Sequence, residues 1–287
     1  MKKPPGIIFT ETPRDAMQSW RNYIPAMAKA EYINQLLKCG FNYVDVGSFV
    51  SPKAVPQMAD TAKVISMLET GNSDTKLMVL VGNLRGGEMA VSENKIDIIA
   101  YPHSVSDTFL HLNLNKTQDD SWKTILELKN LCDSSKKEMR VYITMAFGNP
   151  YGDRWNDEIV IHEVEKLYAE GISNFVFSDI TGEGTPESIG RLCTALVTHF
   201  PDLHSGIHLH TKSVDLPQKL DAAWNSGIRS FEGALGGYGG CPMTGYELLG
   251  NVDTISLLNW CDNKQILTGI NHDALLEAQK IMTKIFI

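Results

Sequence analysis

Cysteine is sparse and carries no pairing pattern. The five residues, Cys39, Cys132, Cys193, Cys241 and Cys261, are odd in number, scattered, and never in CxxC spacing. A disulfide framework or a structural zinc site is therefore not expected, and a reducing cytoplasm is the expected location. Positive charge is also short. Twenty-six Lys and Arg stand against 34 Asp and Glu, a net charge of −8, so neither nucleic acid nor an anionic membrane is expected as the main partner. A local basic patch for a phosphate group stays open. No apolar run reaches membrane-spanning length. The opening MKKPPG leads into an apolar segment at Ile7 that Glu11 interrupts, too soon for a signal peptide. No low-complexity tract or Pro/Ser-rich linker marks a boundary, so one domain over residues 1–287 is expected.

What is present is repetition of a strand–helix kind. Eight short apolar runs recur: Gly6–Thr12, Tyr43–Phe49, Leu77–Asn83, Ile96–Tyr101, Arg140–Phe147, Asn174–Thr181, Gly206–Thr211 and Arg229–Gly236. Between them lie stretches with helical spacing, such as Lys29–Cys39, Ser121–Lys136, Asp157–Glu170, Glu187–His199, Leu216–Ser226 and Thr254–Asp262. Gly40, Gly171 and Gly227 follow three of these, as glycines that end helices do. Near-continuous apolar strands alternating with helices imply a parallel sheet covered by helices. Eight units in 287 residues fit a closed (β/α)8 barrel better than an open sheet. The link between the third and fourth runs is the shortest. A core this large needs no covalent staples.

Polar residues of chemical character sit at the ends of the runs. They are Arg14 and Asp15, Asp45 and Ser48, Asn83, His103, Asn149, Asp179, His208 and His210, and the glycine-rich segment after Phe231. In this fold the carboxyl ends of the strands form the active-site face. Along a strand, residues i and i+2 share a face, so His208 and His210 converge. A pair of neutral imidazoles there is a metal-binding pattern, although two hydrogen-bonded core histidines would leave the same trace. Strands one and seven of a closed barrel are separated by one strand, so Asp15 can join the same ion. Arg14 beside it is a fixed cation for a developing oxyanion, while Pro13 and Asp15 equally suit an ordinary helix start.

GGYGGCP, residues 236–242, places four glycines within five positions and presents Cys241. Such a loop can carry a proton donor or nucleophile, or it can be a plain phosphate-binding turn. Asn251 follows, with an amide oxygen suited to a hard divalent ion. Asp179 in SDITGEGTP is either a base or substrate-positioning group, or the cap of the next helix.

Together these segments resemble the 3-hydroxy-3-methylglutaryl-CoA lyase branch of the DRE-TIM metallolyases. ETPRDAMQ (11–18) is similar to the opening PRDGLQ motif of that family. GSFVSPK (47–53), continuing through VPQMAD (55–60), resembles a long segment specific to the lyases. Residues 178–186 resemble the loop after the sixth strand, His208-Leu209-His210 the metal HxH, residues 236–242 the cysteine loop, and Gly250-Asn251 the last ligand. The resemblance implies Asp15, His208, His210 and Asn251 as ligands of one Mg2+ or Mn2+. It implies Arg14 as stabiliser of enolate charge, Asp179 and His208 as candidates for the hydroxyl proton, and Cys241 on a closing loop that transfers a proton. Gln18, Asp45, Ser48 and Asn83 complete the expected substrate-binding set.

The implied activity is retro-Claisen cleavage of 3-hydroxy-3-methylglutaryl-CoA to acetyl-CoA and acetoacetate. The alternatives are a related metallolyase or aldolase on another acyl-CoA or hydroxy-keto acid, and a metal-binding barrel without turnover. The expected partner is an acyl-CoA substrate, with a homodimer left open. Departures cluster around the pocket. Ala16 replaces the glycine of PRDG, Asp45 a glutamate, and Thr211-Lys212 an Asp-Thr pair, while Tyr246, Glu247, Leu248 and Leu249 replace small residues.

Overall fold

A computed structural model describes residues 6–71, 73–245 and 249–287. In chain order the elements are β1 (Ile8–Glu11), α1 (Pro13–Gln18), α2 (Ala26–Leu36), β2 (Tyr43–Phe49), α3 (Thr61–Ser66), β3 (Lys76–Val81), α4 (Leu84–Val91), β4 (Ile98–Ser104), α5 (Asp107–Leu114), α6 (Gln118–Ser135), β5 (Glu138–Thr144), α7 (Asp157–Ala169), β6 (Asn174–Asp179), α8 (Pro186–His199), β7 (His204–Leu209), α9 (Leu216–Asn225), β8 (Ser230–Gly233), α10 (Thr254–Asn263) and α11 (His272–Ile285). The eight strands pair in sequence order, all parallel, and β8 closes on β1. The fold is the expected (β/α)8 barrel.

Local chemistry explains most boundaries. Asn83, Ser106, Asn156, Asp253 and Asn271 each accept a backbone N–H at a helix start, satisfying donors that have no partner inside the helix. Thr117 and Thr185 form reciprocal caps with Asp120 and Ser188. The main apolar core lies between sheet and helices. A second, small cluster of Met78, Ile98, Ala100, Tyr142 and Val176 fills the barrel interior.

The strand ends differ from the sequence expectation in places. β4 runs on through Pro102 to Ser104. Its pairing with β3 has stopped at Ala100, so on that side the missing proline N–H removes no ladder bond. α5 and α11 are helices that the apolar spacing did not single out. The short link after β3 holds α4, whose Gly86 lowers helix propensity for a steric reason. A Cβ there would lie 2.2 Å from the Phe49 carbonyl oxygen. No helix among the described residues is long and apolar enough to cross a membrane.

Candidate active site

At the carboxyl ends of the strands a cavity of about 430 Å³ opens. Arg14, Asp15, Gln18, Ser48, Asn83, His208, His210 and Cys241 all line it. Asp15 comes from α1 directly after β1, His208 from β7, and His210 from the residue pair where β7 ends in a bridge to Asn251. One possible ligand atom each from Asp15, His208 and His210 lies within 4.8 Å of the others, and all three residues are buried.

The hydrogen bonds define what this cluster can do. His210 Nδ1 lies 2.9 Å from the Leu249 carbonyl oxygen, and His208 Nδ1 lies 2.9 Å from Glu232 Oε2. Both partners are acceptors, which assigns the proton of each ring to Nδ1. The two bare Nε2 atoms then face each other at 2.9 Å. Two lone pairs at that separation repel unless a proton or a cation lies between them. Asn251 donates from Nδ2 to Asp15 Oδ2 at 2.6 Å and to the Tyr238 carbonyl, and its Oδ1 is buried without a partner among the described residues. A carboxylate, two imidazole nitrogens and an orphaned amide oxygen are a donor set that fits one divalent ion.

Electrostatics agrees with that fit. Burial, and after it the neighbouring His208, pushes His210 down to about 4, so the ring is neutral and able to ligate near pH 7. Burial would also depress His208, but the hydrogen bond and charge of Glu232 outweigh it and raise this ring. Asp15 is held below the ordinary carboxylate range. Burial opposes ionisation there, but Arg14 and then the two histidines overcome it.

Arg14 is fixed on several sides. Nε and Nη2 lie 2.9 and 2.7 Å from Asp45 Oδ2, and Nη1 lies 3.0 Å from Asp15 Oδ1 and 2.9 Å from Gln18 Oε1. Gln18 also donates to Asp15 Oδ1 at 2.6 Å. Asp45 itself is absent from the cavity wall, since its Oδ2 is engaged with Arg14. Ser48 presents a buried hydroxyl without a partner among the described residues. Asn83 lines the cavity while capping α4 through Gly86 N–H at 2.9 Å.

Cys241 lies on the loop that crosses above Asp15. The close approach requires glycine: Gly239 has φ +109°, and a Cβ there would sit 2.4 Å from Asn251 Nδ2 and 2.8 Å from the Asp15 carbonyl oxygen. Burial pushes the Cys241 thiol up to about 11, so it carries its proton at neutral pH. Cys241 is free and half-buried, whereas the other four cysteines are free and buried.

Asp179 is not brought to the cavity. Its Oδ2 accepts from Gly184 N–H at 3.1 Å and pairs with Lys219 Nζ at 3.3 Å, so the carboxylate faces α9. His103 also turns away, between Ser121 Oγ at 2.8 Å and Glu163 Oε1 at 3.2 Å. Asn149 orders its own turn by accepting from the N–H groups of Tyr151 and Asp153. Tyr246, Glu247 and Leu248 lie outside the described residues; Leu249 contributes its carbonyl to His210 and is not on the cavity wall.

Sequence reasoning passed over Glu232 and Tyr142 on the wall, and Lys219 behind it. A signal existed for Glu232: a lone acid inside an otherwise apolar strand whose neighbours point to the core.

The sequence model of the HMGL-like family matches residues 6–282. A hydroxymethylglutaryl-CoA lyase of Bacillus subtilis is 30% identical over 281 residues, covering 98% of this chain and 93% of the relative. An (R)-citramalyl-CoA lyase of Chloroflexus aurantiacus is also 30% identical, over 283 residues, covering 94% of this chain and 88% of the relative. Among solved structures, an HMG-CoA lyase from Acinetobacter baumannii in complex with coenzyme A and 3-methylmalate superposes with a TM-score of 0.90 at 29% identity, covering 98% of this chain and 91% of that one.

Proposed function

Because this chain belongs to the HMGL-like family and is a carbon–carbon lyase, we propose that it cleaves 3-hydroxy-3-methylglutaryl-CoA to acetyl-CoA and acetoacetate with the aid of one Mg2+ or Mn2+. The observation that carries this reading is the pair of imidazole nitrogens, His208 Nε2 and His210 Nε2, facing each other 2.9 Å apart beside Asp15.

Asp15, His208, His210 and the Oδ1 of Asn251 would hold the ion. When bound, it would supply Lewis acidity that lowers the pKa of the substrate hydroxyl. The remaining work belongs to side chains. Of the two groups considered for the hydroxyl proton, His208 is on the wall and Asp179 faces Lys219. His208 is therefore the candidate left for the hydroxyl proton, with Glu232 at Nδ1 placed to stabilise the cation formed; its Nε2 lone pair could take that proton only while not holding the ion. As the carbinol becomes a ketone, the bond between the carbinol carbon and the carbon next to the thioester breaks. Its electron pair is left on the thioester enolate. Arg14, already held in place by Asp45, Asp15 and Gln18, needs no reorganisation to meet that charge. The Cys241 thiol then protonates the enolate carbon, giving acetyl-CoA. Asp179, in this reading, sets the end of β6 through Lys219. Ser48, Asn83 and Gln18 are among the wall polar groups available to bind substrate, and Val50, Val55, Leu80, Phe109 and Leu114 provide an apolar flank for the thioester arm.

The relative named (R)-citramalyl-CoA lyase, at equal identity, makes another branched hydroxyacyl-CoA the second reading. A single carbon in such a pocket is worth only about 1–3 kcal/mol, so reaction type and substrate preference are separable. The test is a panel of hydroxyacyl-CoA thioesters with Mg2+ and with Mn2+. The first reading expects the highest kcat/KM for 3-hydroxy-3-methylglutaryl-CoA. A higher value for citramalyl-CoA transfers the assignment to that substrate.

A further inference from the structure

The barrel interior is not uniformly apolar. Arg140 on β5 and Glu232 on β8 are both buried within it, with Glu232 only 3% and Arg140 0% exposed. Their closest ion-pair contact, Arg140 Nη1 to Glu232 Oε1, is 3.5 Å, long for a pair that must repay the desolvation of two charges. Tyr142 adds its hydroxyl, 3.0 and 3.2 Å from the two carboxylate oxygens. Arg140 in turn is set by Nε donating to Asn174 Oδ1 at 3.0 Å and by stacking 4.4 Å over the Tyr43 ring. One Arg140 donor, Nη2, is buried without a partner among the described residues. Apolar residues of the same volume would stabilise a barrel at least as well. The arrangement therefore calls for an explanation other than stability, and its upper end supplies one. Glu232 Oε2 is the atom that meets His208 Nδ1 at 2.9 Å.

We propose that Glu232, oriented by Arg140 and Tyr142, is the positioning residue of the metal centre, fixing His208 in the Nδ1–H tautomer so that Nε2 is presented to the ion beside His210 and Asp15. The inference rests on the metal reading given above. An imidazole free to rotate or to exchange tautomers presents its lone pair only part of the time. A buried acceptor at Nδ1 removes both freedoms, and it leaves Nε2 more basic. His210 has its own fixed acceptor in the Leu249 carbonyl, so the two rings are set by separate devices, one on the backbone and one on a side chain. Only the side-chain device can be altered by substitution without touching a ligand.

Two measurements test this. Nitrogen-15 NMR of the histidine side chains in ion-free protein should show His208 as the Nδ1–H tautomer in the native chain and a loss of that tautomer in Glu232→Gln. Mn2+ titration should give a Kd for Glu232→Gln roughly tenfold to a hundredfold weaker than for the native chain. A native His208 found as the Nε2–H tautomer overturns the inference even if the variant does not fold. So does a Glu232→Gln Kd equal to that of the native chain. If the native chain takes up no Mn2+, the metal reading on which the inference rests fails first.

Discussion

Lys219 Nζ on α9 lies 3.3 Å from Asp179 Oδ2 at the end of β6, and both side chains are almost wholly buried. The pair locks the loop after β6 to the neighbouring helix, with Lys219 also 3.5 Å from the Gly182 carbonyl. Removing one member strands the other. Lys219→Met should therefore cost about 3–5 kcal/mol of unfolding free energy at neutral pH. Burial already raises Asp179, so the loss should shrink under acid conditions, where the stranded carboxyl takes up a proton. The double variant Asp179→Asn/Lys219→Met should recover most of it. Urea denaturation of the three chains checks this; an unaltered midpoint for Lys219→Met would place the Asp179 carboxylate elsewhere.

Cys241→Ser separates proton transfer from metal holding. Cys241 is on the wall but outside the Asp15–His208–His210 cluster. Ion content should stay at the native level while kcat falls by about two orders of magnitude or more, the range of a lost acid or base. Steady-state kinetics beside metal analysis reads both. Undiminished turnover would move the donor away from Cys241.

Ligand substitutions should behave in the opposite manner. Asp15→Asn and His210→Ala should both lose stoichiometric Mn2+ by equilibrium dialysis. Chelation of the native chain should abolish turnover, and added Mg2+ or Mn2+ should restore it. Retention of one ion per chain in both variants would remove these residues from the ligand set.

Acid stability should depend on a group remote from the site. Burial would raise Glu163, but the His103 hydrogen bond and charge, with Lys166 at 2.9 Å, bring it from 4.5 to about 2. A carboxylate depressed by folding adds stability that is complete above pH 4.5 and is lost as pH falls toward 2. Partial exposure reduces the contribution to about 2 kcal/mol. Glu163→Gln should lower stability near pH 7 by about that amount and flatten the decline between pH 4.5 and 2. Parallel urea curves at several pH values measure it, and an unchanged slope would contradict the assignment.

Much of this was legible in the sequence because it follows short-range rules. Eight apolar runs gave eight strands, and β2 matches its run, Tyr43–Phe49, at both ends. The HxH pair, the PRD step and the cysteine loop were placed at strand ends, and the structure brings Asp15, His208, His210 and Cys241 to one cavity. What could not be read depends on which way a side chain turns. Asp179 has the strand-end position of an active-site carboxylate, whereas Asp45 is third of the seven residues of β2; each is drawn off by a cation, Lys219 and Arg14 respectively. Lys219 is 40 residues from Asp179, a pairing that no local pattern contains. Glu232 and His208 are partners across neighbouring strands for the same reason. α4 was obscured because Gly86 serves contact with the Phe49 carbonyl rather than helix formation.

The Asp15–His208–His210 cluster is proposed to be where a branched hydroxyacyl-CoA is cleaved. The most direct measurement is product analysis after mixing purified protein with 3-hydroxy-3-methylglutaryl-CoA and Mg2+ or Mn2+, using the native chain and Asp15→Asn. Equimolar acetyl-CoA and acetoacetate are expected from the native chain and almost none from the variant. Equal product from both chains, or no cleavage of this or any other hydroxyacyl thioester with either ion, would contradict it.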